Sequence, residues 1–135
     1  MHFKLAYKEY EYKPTWNAFR SFEEDTGESM LGLLYGLSNM YYEVAKCNVH
    51  EGASKFLAFC PETVGAKVFY YLAKECNSHL TIEEMHDAIF HTSNEIPKES
   101  DSFSNPWYLV LVKLAGEVFE QMNKNALKKK PEVDS

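Results

Sequence analysis

The densest group of chemistry-bearing side chains is His79, His86 and His91 with Glu83, Glu84 and Asp87. A bound metal needs donors that converge on one point. On a helix, Asp87 and His91 share a face at i,i+4, whereas His86 and His91 at i,i+5 diverge. The sequence lacks His-Glu-x-x-His, the pairing that sets two ligands and a base on one face. A metal-dependent hydrolase using His86, Asp87 and His91 stands as one reading and a solvated polar face as the other. Glu23, Glu24 and Asp25 place three carboxylates in a row. Glycosidase carboxylates face each other across a cleft from separate elements, and consecutive helical residues do not. Cys60 precedes Pro61 near a helix start, where thiolates are stabilised, but no neighbouring His or Cys supports a nucleophile. A buried structural thiol fits better. Serine hydrolysis has no Gly-x-Ser-x-Gly, and Gly32, Gly36, Gly52 and Gly65 do not form a phosphate loop. The expectation is a non-enzyme with no catalytic residue, no cofactor and no resident metal.

The elements that would position such groups come from a chain of 135 residues, natural for one domain with its own core. Aromatic residues make up 15%, which suits either protein binding or a core of large rings. The formal net charge of -6 repels nucleic acid and anionic membranes, so neither is an expected partner. Cys47, Cys60 and Cys76 are odd in number and widely spaced, which fits free thiols in a reducing compartment. Lys4, Lys8 and Glu9 interrupt any apolar signal core, and no apolar run approaches a membrane span.

Residues 3–12 alternate as Phe3, Leu5, Tyr7 and then Tyr10, Tyr12. This reads as a short hairpin turning near Lys8-Glu9. Thr15 caps a first helix carrying Trp16, Phe19 and Phe22 at threes, and Gly27 stops it. Glu23, Glu24 and Asp25 sit at that helix's C-terminal end, where the dipole disfavours them. Ser29 caps a second helix with Met30, Leu33, Leu34, Leu37, Met40, Tyr41 and Val44 on its apolar side. Residues 47–53 read as a connector containing Gly52, followed by a short helix over 53–59. Pro61 opens a helix carrying Val64, Val68, Tyr71 and Leu72. Thr81-Ile-Glu-Glu84 is a capping box for a helix with Ile82, Met85, Ile89 and Phe90. Residues 92–105 form a polar loop. Ser104-Asn105-Pro106 starts a last helix running to 126. The fold class is mainly α, a compact bundle of about five to six helices with a short N-terminal β-hairpin. Residues 1–127 form a single helical domain, hairpin included at 3–12, and 128–135 a flexible tail. Trp16, Phe19, Leu33, Leu37, Val68, Ile89 and Leu111 are expected in the core.

The last helix has two apolar faces. Trp107, Val110, Leu111, Leu114 and Val118 form one, and Tyr108, Leu109, Val112, Gly116 and Phe119 form the other. It is either central in the bundle or covered by a second chain. Tyr108, Leu109, Val112 and Phe119 are therefore the candidates for partner binding or self-association, and a homo-oligomer is expected.

The N-terminal pattern resembles the tail assembly chaperones of long-tailed (siphophage-type) bacteriophages. The resemblance lies in Phe3-x-Leu5-x-Tyr7-Lys-Glu-Tyr-Glu-Tyr12, then Asn17-Ala-Phe-Arg-Ser-Phe-Glu-Glu-Asp-Thr-Gly27 and Ser29-Met-Leu. It covers residues 3–40; the remainder is similar in class and length, including the start at Thr81-Ile-Glu-Glu84. The resemblance implies the short form of a frameshifted pair. Lys128-Lys129-Lys130 can be encoded by an adenine run near the end of the reading frame, where such slippage belongs. It also implies a morphogenesis factor that keeps the tape measure protein soluble while the tail tube assembles, with the tail tube protein as a further candidate partner. The implied location is the host bacterial cytoplasm, not the mature virion. A small helical adaptor or regulator binding one host protein is the alternative from a different class. Apolar helices of an unassembled partner need cover, and aromatics and Met supply it adaptably.

Overall fold

Alternating apolar and charged residues at the N-terminus form an antiparallel hairpin, β1 His2–Leu5 and β2 Lys8–Glu11. The structure, a computed structural model, describes residues 1–6, 8–40, 49–94 and 107–129. Phe3 pairs with Tyr10 across the strands, and their rings stack at 5.3 Å. These two, with Leu5 and Tyr12, are buried. On the outer face Lys4 faces Glu9 and His2 faces Glu11, opposite in sign or polar, as cross-strand neighbours favour. Lys8 and Glu9 already belong to β2, so the turn does not lie there as the sequence suggested. Ala6 adopts φ 55, the left-handed conformation that tight hairpin turns require and that Gly or Asn normally supplies. Its N–H donates to Thr92 Oγ1, which fixes this unusual residue.

Six helices follow among the described residues: α1 Trp16–Thr26, α2 Met30–Asn39, α3 Val49–Phe59, α4 Glu62–Ala73, α5 Ile82–Asn94 and α6 Trp107–Lys129. The fold is mainly α with an N-terminal two-stranded ribbon, as expected. The caps form where local chemistry dictates. Thr15 and Ser29 accept from Ala18 N–H and Gly32 N–H. Gly27 takes φ 76 and donates to Glu23 O, which ends α1. Thr81 accepts from Glu84 N–H. The Glu84 carboxylate, however, reaches the hairpin, where Lys8 Nζ and Tyr10 Oη donate to it at 2.9 and 3.0 Å.

Three helices are longer than the sequence suggested. α3 begins at Val49, so Gly52 lies inside it and not in a connector. Glu51 in its first turn favours that start through the helix dipole. α5 runs to Asn94, past the expected break at residue 92. The Thr92 hydroxyl donates back to Ala88 O, which lets it sit in a helical turn. α6 continues to Lys129. Tyr7, Tyr41, Val44, Cys47, the loop beyond 94, the Ser104-Asn105-Pro106 start and the tail from 130 onward lie outside the described residues.

α6 is the central element, packed along α2 and against α4, α5 and β1. Trp107, Tyr108, Leu111, Val112, Leu114, Ala115 and Val118 are all buried, which answers why both its faces are apolar. Two glycines permit close approach. A Cβ on Gly65 of α4 would lie 2.6 Å from Trp107 Cζ3, and one on Gly36 of α2 would overlap Phe59 Cζ. Phe19, Leu37, Val68, Ile89 and Leu111 are buried as expected, and Leu33 is half-buried against the core. Trp16 is not buried; it is 76% exposed. Steps of three drift backward by about 60° each on a helix. The inward face centres on Ala18, Phe19 and Phe22, and Trp16 falls about 110° away from that centre.

Candidate functional site

Polar side chains first hold the hairpin and α1 in place. Tyr12 Oη donates to Glu117 at 2.9 Å, joining β2's end to α6. Lys13 N–H donates to Leu72 O, and Asn77 bridges Glu11 O and Ala73 O. Burial and the carboxylate neighbours raise the Tyr10 and Tyr12 hydroxyls well above the ordinary tyrosine range, so both stay protonated donors. Asp25 explains the acidic end of α1. Tyr71 Oη donates to it at 2.9 Å and Lys67 Nζ approaches at 3.3 Å. The Tyr71 hydroxyl first, and then Lys67, hold its carboxyl below the usual range. Arg20 pairs with Glu24 one turn away. These three consecutive carboxylates are structural anchors or solvated groups, not a facing pair.

The remaining catalytic candidates do not assemble. His86, Asp87 and His91 are exposed on α5. No group of three His, Cys, Asp or Glu side chains able to hold a metal occurs among the described residues. Cys60 is fully buried, and burial, followed by Glu28, pushes its thiol up to about 12. It is therefore an unreactive packing thiol near neutral pH. A depression of about 280 Å³ between the N-terminus and α6 is lined by Met1, His2, Glu117, Glu120, Gln121 and Lys124. It is open and polar, unlike the enclosed apolar pockets that take small ligands.

The surface instead carries apolar side chains around α2 and α3. Leu31 and Tyr35 lie one turn apart on α2 and point away from its buried Met30, Leu34 and Leu37. Tyr35 is 62% exposed and meets the Phe119 ring edge-on at 5.7 Å. Phe59, the last residue of α3, lies across Gly36, the residue after Tyr35, and remains 44% exposed. Leu57 is also exposed on α3. Large apolar groups held together in water mark interaction surfaces more than scattered ones do.

The candidates named from α6 separate accordingly. Tyr108 and Val112 are buried in the core, so they offer no accessible face for a partner or a second copy. Leu109 and Phe119 are half-buried, and Phe119 alone reaches the strip beside Tyr35. The physical reason is the central position of α6: neighbouring helices cover the second face. Leu31, Tyr35, Leu57 and Phe59 were missed. The available signal was that α2 has more apolar residues than one helix face can hold. No helix among the described residues is long and apolar enough to cross a membrane. No family model, no curated protein sequence and no solved structure matches this chain.

Proposed function

We propose that this domain is a tail assembly chaperone that binds amphipathic helices of a phage tape measure protein and keeps them soluble until the tail tube encloses them. The observation that carries the reading is the exposed strip of Leu31, Tyr35 and Phe59, edged by Phe119. Its side chains come from two helices and present aromatic edges and a leucine, the kind of surface that accepts the apolar side of a helix. An aromatic anchor contributes large contact area with few torsions to freeze. The N-terminal hairpin, the Thr15–Gly27 helix and its acidic end, on which the resemblance rests, form the frame that packs α1 against α2 and α4. An acidic exterior keeps a loaded complex dispersed by mutual repulsion.

The test is co-expression with a tape measure protein of the same source phage. Its soluble yield should rise severalfold, and the two should co-purify. Equal solubility of the tape measure protein without this chain would remove the main content of the proposal.

A further inference from the structure

Among the described side chains, α3 buries fewer than the other helices do. Of its described side chains Phe56 alone is buried; Glu51, Ser54, Lys55, Leu57, Ala58 and Phe59 are exposed. α4, similar in length, buries six. Phe56 stands edge-on to Trp107 at 5.2 Å and against Tyr108 at 5.5 Å. Phe59 lies across Gly36, and Cys60 follows as the last buried group. Pro61, at φ -60 and ψ 153, lacks an N–H and separates α3 from α4, so α3 can move without unwinding its neighbour.

Elements with few buried contacts open before the rest of a fold. A detached helix of this length does not persist in water, so opening and unwinding coincide. Its departure would uncover the rings of Trp107 and Tyr108 and the Gly36 notch. What fits that groove is already seated there: a helix with large apolar groups at Phe56, Phe59 and Cys60, an i,i+3,i+4 set.

We propose that α3 is a displaceable cover, occupying a groove that receives an amphipathic client helix with aromatic or leucine side chains at the same spacing. For the source of that client this rests on the chaperone reading; the opening of α3 and the acceptance of a helix in trans do not. The groove is thereby kept covered when no client is present, and the exposed Tyr35, next to Gly36 on α2, marks its rim.

Two measurements on the full chain test it. In native-state amide exchange, residues 54–59 should exchange about 100-fold faster than the interior of α4 and α6. Exchange of α3 at the same rate as those helices would overturn the proposal. For the second, Trp16→Phe leaves Trp107 as the single tryptophan reporter. Adding Phe56→Ala should shift Trp107 emission to the red while the other helices keep their circular dichroism. A synthetic peptide of residues 49–60 should then reverse that shift, saturably, with the protein's sedimentation unchanged. A peptide without effect on the folded variant would overturn the proposal. So would cooperative unfolding of Phe56→Ala, which would make α3 part of the core, or dimerisation, which would give the groove to a second copy. Failure of the tape measure protein to bind leaves these results in place and counts against the proposed function instead.

Discussion

Alanine at Gly65 and alanine at Gly36 should shift stability in opposite directions, although both glycines lie in helices facing an aromatic ring. In a helix interior, alanine is favoured over glycine by about 0.8–1.0 kcal/mol. At Gly65 the new methyl would lie 2.6 Å from Trp107 Cζ3 and 3.1 Å from Cη2. The indole is buried and braced edge-on by Phe56, so it cannot swing clear. Overpacking in such a place costs about 1–3 kcal/mol. Gly65→Ala should therefore be destabilised by about 1 kcal/mol net. At Gly36 the methyl would overlap Phe59 Cζ, but that ring is nearly half exposed and its tip can rotate into water. Gly36→Ala should gain up to about 1 kcal/mol. Urea unfolding read by circular dichroism should place the two midpoints on either side of wild type with unchanged slope. A stabilised Gly65→Ala would refute the tight α4–α6 approach. A Gly36→Ala variant that loses more than about 1 kcal/mol would show Phe59 pinned, not mobile.

Three further outcomes follow from the same contacts. Ala6→Gly relieves the left-handed strain at φ 55 and should gain about 0.5–1 kcal/mol in urea unfolding; a loss would mean that the turn prefers the methyl. Tyr12→Phe removes the hydroxyl that donates to Glu117 and should lose about 1 kcal/mol, read as a lowered thermal midpoint. Asp25 and Glu84 have carboxyl pKa values depressed by folding, so their contribution is full above the ordinary carboxylate range and disappears as pH falls through the lowered folded values. Asp25→Asn with Glu84→Gln should flatten the acid limb of the stability–pH curve, and an unchanged limb would contradict those contacts.

Local rules were legible wherever one residue decides the outcome. Thr15, Ser29 and Thr81 cap the helices they precede, and Gly27 takes the left-handed stop. The alternation of Phe3, Leu5, Tyr10 and Tyr12 marked the hairpin's buried face. Its turn was misplaced because Ala6 is not a turn residue; the bond from its N–H to Thr92, from a distant helix, holds it. Trp16 was misjudged because steps of three match a helix only over one turn. Gly52 looked like a connector because its intrinsic cost outweighs its neighbours in any local reading. The exposed apolar strip was illegible for a different reason. Whether Tyr108 or Tyr35 faces water depends on which helix covers which, and that is set by contacts such as Phe56 on Trp107. The acidic end of α1 is likewise explained only by Tyr71 and Lys67 from α4.

The most direct measurement is the affinity of this chain for the tape measure protein with one charge placed on the strip and one elsewhere. Tyr35 and Phe90 are equally exposed at 62%, the first on the α2 strip and the second on α5. Both variants, Tyr35→Glu and Phe90→Glu, should keep the helical circular dichroism of wild type. Tyr35→Glu should weaken binding by about thirtyfold, the effect of losing one aromatic anchor, while Phe90→Glu binds as wild type does. Wild-type affinity in folded Tyr35→Glu, or equal losses in both variants, would contradict the assignment of this surface to the client.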